Sequence, residues 1–380
     1  MVGATDGGTD EPLTTPGEAT RCWHRQGGGH VSRLRVLILG YGFAGAWIHD
    51  PVIRSVPELV VTGVVTSDPK RRRLAESRHP GVTVFSTPED AFEKAEADVA
   101  VVATPNHRHV ELTLAAFEAG MDVVVDKPLA STAGECDRLV EESRRQGRSL
   151  AVFHNRRWDG DYLTIKRLVD EGRLGAVHRL TSRFDRWLPN PSPGWRDTTP
   201  EQGGGLLLDL GSHLVDQAIR LLGPVSRVYA ELRTLHPSRQ SDDDMFVALT
   251  HSSGATSHLY AGSHEGDPSL RFRVSGSEGT YLKRGKDVQE ERLLAGVLPV
   301  PGETGVEPRE AWGRIFRGED SEEVETVPGD WSAFYRDLVA HLTEGASLPV
   351  SGTEAREVLT VLDAARSSDL SGEVVAPGET

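Results

Sequence analysis

The stretch RLRVLILGYGFAG, residues 33–45, decides the fold. Val36, Leu37, Ile38 and Leu39 run without a polar break, which predicts a strand buried on both faces, the habit of parallel sheets covered by helices. Gly40, Gly42 and Gly45 then form GxGxxG between that strand and a helix. In such a turn the first glycine permits the tight reversal and the second lets backbone approach a pyrophosphate. The third allows close helix–strand packing. The helix start offers N–H groups and a positive dipole end to phosphate. With Tyr41, Phe43 and Ala44 completing the loop, residues 40–45 are predicted to bind a dinucleotide.

Outward from this motif, strands are expected at 59–65, 82–85, 97–104, 121–126 and 149–153, with helices between most of them, notably 109–119 and 133–146. That alternation predicts an α/β chain whose residues 33–153 form a doubly wound Rossmann domain. Residues 1–32, rich in Gly, Thr, Pro and acids, read as a disordered extension. After 153 the rhythm changes. A helix at 162–171 precedes strands with two-residue alternation at 177–184, 225–235, 245–250 and 256–261, then 270–275 and 279–283. One strong helix, 206–222, lies among them, and two more, 331–344 and 353–367, close the chain. Residues 154–370 are therefore expected to form an α+β domain with a large, open, mostly antiparallel sheet. The polar, Pro- and Gly-dotted segment 288–330 reads as a long excursion, and 371–380 as a flexible tail.

Composition narrows the function. Lys and Arg number 42 against 57 Asp and Glu, a formal net charge of -15, which argues against partners that need a basic surface, nucleic acid or an anionic membrane. No apolar run approaches the ~20 residues of a membrane span, and no secretory signal is visible. Cys22 and Cys136 are too few for a disulfide framework or a structural zinc site, so a reducing compartment, the cytoplasm, is expected.

Four further motifs carry chemistry. The second strand ends in TSDPKRRR, where Thr66, Ser67 and the run Arg71, Arg72, Arg73 can hold a ribose 2′-phosphate. Asp68, two residues past the usual acidic position, points the other way, and a solvated charge run is the plain alternative. The fourth strand runs into TPNHRH, placing Thr104, Pro105, Asn106 and His109 at a carboxyl edge, although His109 could equally be a helix-start residue. The fifth ends in Asp126, Lys127 and Pro128, a cation that either faces the crevice or sits on the surface of a turn. In GGGLLLDLGSHLVDQ, residues 203–217, Asp209 stands four residues before His213, so a helix places both on one face with Asp216. A carboxylate one turn before a histidine can orient an acid/base group. A metal site lacks an obvious third ligand, and a solvated polar face is the remaining reading.

Together these pieces resemble the glucose-fructose oxidoreductase / inositol dehydrogenase / MocA family over roughly residues 33–370. The resemblance rests on GYGFAG, TPNHRH, DKP (more often EKP in the family), Trp195–Arg196 and the Asp209–His213 helix. Residues 154–168 and 280–296 are similar to the NADP-dependent scyllo-inositol dehydrogenase branch. The resemblance implies catalytic roles for Lys127, Asp209 and His213. His213 takes a hydroxyl proton, Lys127 hydrogen-bonds the same oxygen, and Asp209 positions the histidine and a neighbouring hydroxyl. It places Asn155, Trp195 and Arg196 against the nicotinamide and substrate. Asp126 falls beside the nicotinamide ribose, one methylene shorter than the usual glutamate. It also implies a cis Lys127–Pro128 bond, no metal, and a homodimer or homotetramer built through the C-terminal sheet. The function expected is reversible oxidation of a polyol or sugar secondary alcohol, inositol-type, with NADP favoured and NAD possible. Two alternatives share the scaffold: a redox-neutral glycosidase that recycles its NAD, and a non-catalytic NAD(P)-sensing regulator.

Overall fold

Strands β1 (Leu34–Leu39), β2 (Leu59–Val65), β3 (Thr83–Phe85), β4 (Val99–Val102), β5 (Asp122–Asp126) and β6 (Leu150–Phe153) form one six-stranded sheet, in the order β3-β2-β1-β4-β5-β6. The computed structural model describes residues 33–190, 198–267 and 269–378, so the extension expected at 1–32 lies outside them. Every neighbouring pair in this sheet is parallel. β4 and β6 are buried at each position, because helices cover both faces. These helices are α1 (Asp50–Arg54), α2 (Pro69–Arg78), α3 (Pro88–Lys94), α4 (His109–Glu118) and α5 (Ala133–Gln146). Asp68, Thr87 and Thr132 start three of them by accepting backbone N–H groups of the first turn. The strand order reverses between β1 and β4, which opens a crevice at their carboxyl ends. This is the expected Rossmann domain.

The second half begins with α6 (Gly160–Asp170) and builds an eight-stranded sheet. Its strands are β7 (Val177–Arg183), β8 (Val225–Arg233), β9 (Asp244–His251), β10 (Thr256–Gly262), β11 (Leu270–Gly276), β12 (Gly279–Arg284), β13 (Gly313–Arg317) and β14 (Asp320–Val324), ordered β14-β13-β12-β11-β7-β10-β9-β8. β7 and β10 pair in parallel, and the other pairs are antiparallel. β9 alternates half-buried and buried residues along its whole length, as a sheet with one face on the core must. On that face α7 (Ser212–Leu222) packs against β7 and β10. The remaining helices are α8 (Gln289–Leu294), α9 (Ser332–Glu344) and α10 (Gly352–Ser371). α10 packs on β8 and also on α5, joining the two halves.

Two expectations need correction. The segment 288–330 is not a bare excursion, since it supplies α8 and the β13–β14 hairpin that extends the sheet. Its outermost strand, Asp-Ser-Glu-Glu-Val, is exposed except at Val324. An edge strand with no apolar face gives no alternation to read. Nor is 371–380 wholly a loose tail. Val375 exchanges both backbone hydrogen bonds with Val228 of β8, at 2.8 and 2.9 Å. The last turns of α10 serve the same strand: Ser368 Oγ accepts the Ala230 N–H and Asp369 Oδ1 the Leu232 N–H.

Candidate active site

The glycines of the 40–45 loop explain themselves by what a side chain would strike. Gly40 has φ +93°, and a Cβ there would lie 2.6 Å from the Ala103 carbonyl oxygen; at Gly45 it would lie 2.0 Å from the Gly40 carbonyl oxygen. Gly42 is different. A Cβ there would meet only Arg71 Nη1, at 3.9 Å, so the protein itself leaves room for one. That open cradle suits close approach of a pyrophosphate. Gly42→Ala is therefore expected to fold with an unchanged melting temperature and lose dinucleotide binding; tight binding in a titration of the variant contradicts the assignment.

The cavity beside this loop measures about 500 Å³ and is lined by residues from both halves. Gly40, Tyr41, Gly42, Phe43, Ala44, Thr66, Ser67, Arg71, Thr104, Pro105, Asn106, Asp126, Lys127, Asn155, Asp209 and His213 all reach it. Asp68 is not part of that lining, and its Oδ2 stands 4.0 Å from Arg71 Nε. Its Oδ1 accepts the N–H groups of Lys70 and Arg71 at 2.7 and 3.1 Å, as the cap of α2. Arg72 is drawn away as well, donating to the Val84 carbonyl and Ser86 Oγ at 3.0 and 3.3 Å. Of the arginine pair expected to hold phosphate, only Arg71 lines the cavity.

His109 takes the second of its two expected places, as the first residue of α4, and does not line the cavity. It is fully buried, with Nδ1 2.8 Å from the Pro128 carbonyl oxygen and Nε2 2.9 Å from that of Thr104. Burial pushes its pKa down. It is a strut between the ends of β4 and β5, and the Lys127–Pro128 bond it braces is cis. Asn106 ties the halves together, its Nδ2 donating to the Gly203 carbonyl at 2.8 Å.

Lys127 and Asp209 meet at the centre. Lys127 Nζ lies 2.9 Å from Asp209 Oδ1 and also donates to the Asp209 backbone carbonyl. The carboxylate thus orients the lysine, whereas His213 Nδ1 is buried with no hydrogen-bond partner. Residues Leu207–Gly211 are wound as a π turn before α7 begins, and from it the Asp209 carboxylate reaches Lys127. A matching π turn, Ala44–His49, opens the helix after β1. Asp216 leaves the site altogether, with Oδ1 2.6 Å from Arg157 Nη2. Burial, then the charges of Lys127 and Arg156, hold the His213 pKa well below its ordinary value. Near neutral pH the imidazole is an acceptor.

Sequence reasoning missed Arg156, Arg186, Glu290, Phe153 and Trp331, which also line the cavity. Arg156 donates to Glu290 at 2.6 Å and lies over the Phe184 ring at 4.6 Å. Nothing in HNRRWD separates Arg156, turned to the cavity, from Arg157, turned to Asp216. Trp195 and Arg196 lie outside the described residues. Among those described, no group of three or more His, Cys, Asp or Glu is placed to hold a metal, and no helix is long and apolar enough to cross a membrane.

Comparison with known proteins gives the site a family. A model described as an oxidoreductase family with an NAD-binding Rossmann fold matches residues 34–154, and the GFO/IDH/MocA C-terminal domain matches residues 162–282. YdgJ, an uncharacterized oxidoreductase of Escherichia coli (strain K12), is 37% identical over 337 residues, 87% of this chain and 94% of its own. The NADP(+) scyllo-inositol 2-dehydrogenase IolW of Bacillus subtilis (strain 168) is 32% identical over 342 residues, 89% of this chain and 94% of its own. The solved structure of yvaA from Bacillus subtilis matches with a TM-score of 0.84 at 30% identity, covering 92% of this chain and 99% of that one. Rossmann crevice, paired lysine and aspartate, and these matches lead to one conclusion: the chain belongs to the GFO/IDH/MocA family and is an oxidoreductase of that family.

Proposed function

We propose that this oxidoreductase interconverts a secondary alcohol and a ketone on a polyol or sugar of inositol type, with NADP as the favoured hydride carrier. The observation that carries the reading is the Lys127–Asp209 pair, with Nζ 2.9 Å from Oδ1, in the same cavity as His213 and the Gly40–Gly45 loop. When bound, the dinucleotide supplies the hydride acceptor. Lys127 Nζ, held by Asp209, donates a hydrogen bond to the alcohol oxygen. His213 takes the hydroxyl proton at Nε2, since Nδ1 is shut into the protein. Asn155, with Lys127, Asp209 and His213, forms the wall against which the substrate is oriented. The resemblance to IolW supports an inositol-type substrate.

A panel of inositols, aldoses and deoxy-ketosugars, run with both cofactors, tests the reading. Stoichiometric NADPH formation is expected. Turnover of a glycoside without net NADPH assigns the redox-neutral alternative instead.

The NADP preference rests on Thr66, Ser67 and Arg71 around a strand end whose one acid, Asp68, is occupied by its helix cap. Arg71→Ala is expected to weaken NADP binding about tenfold, the loss of one charge-assisted hydrogen bond. NAD binding should change little, and Arg72→Ala should change neither. Wild-type protein that binds NAD more tightly than NADP defeats this assignment.

The outer face of the second sheet carries Phe246 with Tyr229, His258 and Tyr260 each in ring contact with it, the Phe246 and Tyr260 centroids 4.9 Å apart. We assign this face to association of two or four copies, which light scattering of the purified protein measures. We place the enzyme in the cytoplasm, in keeping with its two cysteines.

A further inference from the structure

Asp126 lines the cavity, and two buried groups that the mechanism does not use stand behind it. His49, the last residue of the Ala44–His49 π turn, has no exposed surface. Its Nδ1 lies 2.6 Å from Tyr335 Oη on α9, and its ring lies against Phe153 with centroids 4.3 Å apart. His49 Nε2 makes no hydrogen bond, yet it stands 3.8 Å from Asp126 Oδ1. Tyr335 is fully buried, and burial with the Asp126 charge drives its phenol well above its ordinary value. It therefore stays a hydroxyl able to donate to His49 Nδ1, the arrangement that puts the ring proton on Nε2, toward Asp126.

Asp126 also accepts the Lys127 N–H at 2.9 Å. Burial alone would raise its pKa, but the neighbouring His49 ring and the charge of Lys127 hold it below the ordinary value. The result is an ionised carboxylate on the cavity wall. Lys127 beside it is already matched by Asp209, so the charge of Asp126 is left to act on what binds.

We infer that His49 and Tyr335 are positioning residues that hold Asp126 so that the site grips the oxidised, cationic nicotinamide more tightly than the neutral reduced one. The inference rests on the dinucleotide reading of this cavity. Hydride transfer removes the positive charge of the nicotinamide, so a fixed nearby carboxylate weights the two forms differently. Asp126 Oδ1 stands 3.8 Å from His49 Nε2, and the ring is held by its other nitrogen, 2.6 Å from Tyr335 Oη.

The test needs no turnover: dissociation constants for NADP+ and NADPH are measured for wild type, Asp126→Asn, His49→Leu and Tyr335→Phe. Asp126→Asn is expected to weaken NADP+ about tenfold relative to NADPH. His49→Leu should give a similar selective loss and Tyr335→Phe a smaller one. Adding His49→Leu to Asp126→Asn should add nothing, as two changes in one interaction behave. Equal weakening of both forms, no weakening of either, or additive losses overturn the inference and leave the dinucleotide site standing. If His49→Leu does not fold, the near-isosteric Tyr335→Phe decides the matter alone. Wild-type protein that binds neither form removes the dinucleotide reading, and this inference with it.

Discussion

Lys127→Ala lowers the rate of hydride transfer by about 10²–10⁴-fold, the usual loss for one positioned acid/base partner, while NADP binding changes little. The separation follows from where Nζ sits. It is held by Asp209 in the second half of the chain, whereas Arg71 and Gly42 are the residues assigned to the phosphates. Stopped-flow single turnovers give the rate and a fluorescence titration gives the affinity. A melting curve shows that the fold has survived loss of a partly buried pair. Asp209→Asn gives a smaller loss, because the lysine then remains but swings free. Near-native hydride transfer in a folded Lys127→Ala protein means that another group holds the oxygen.

His213→Asn gives a loss of similar size, about 10²–10⁴-fold, and its wild-type parent has a pH profile with a particular shape. Burial and the neighbouring cations Lys127 and Arg156 depress the His213 pKa well below its ordinary value. The base is the neutral imidazole, so its fraction grows as pH rises through that lowered pKa and is complete above it. Oxidation should climb on the acid side and be flat in this group above the ordinary histidine range, near pH 6.5. His154 stands beside it, ring centroids 6.1 Å apart, and is pushed down to about 4 by burial. Its titration cannot produce a rise near neutrality either. A wild-type profile whose rise is centred above pH 7 and disappears in His213→Asn rules out this electrostatic account of the site.

The first sheet was legible because a strand buried on both faces must be apolar at each position, as Val99–Val102 is. The glycines of residues 40–45 were legible because backbone, not side chains, sets their need. Lys127 and the Asp209–His213 helix could be named from their motifs, but the pairing of lysine with aspartate could not. The two residues stand 82 positions apart, and no local pattern records that folding brings them together. His109 and Arg72 show the same limit. Each stands in the right motif, yet hydrogen bonds to backbone carbonyls take it elsewhere. Arg156, Glu290 and Trp331 come from three separate stretches that converge only after folding. Glu290 belongs to the segment whose polar surface disguised a helix and a hairpin.

The two borders of the eight-stranded sheet are both shut. At one, β14 is an exposed, polar strand whose Glu322 and Glu323 are held in ion pairs with Arg173, Arg317, Arg309 and Arg314, so it has no apolar face to offer a newcomer. At the other, Ser368, Asp369 and Val375 already occupy the N–H groups of Ala230, Leu232 and Val228 that a newcomer would need. Sideways continuation of the sheet from one copy to the next is thus disfavoured at both borders, which leaves the aromatic outer face, the surface proposed above for association, as the place where a two-fold arrangement would close on itself. The final residues of the chain are in this sense a guard against polymerisation, and a protein shortened within α10 would carry a bare strand border into every crowded solution it met.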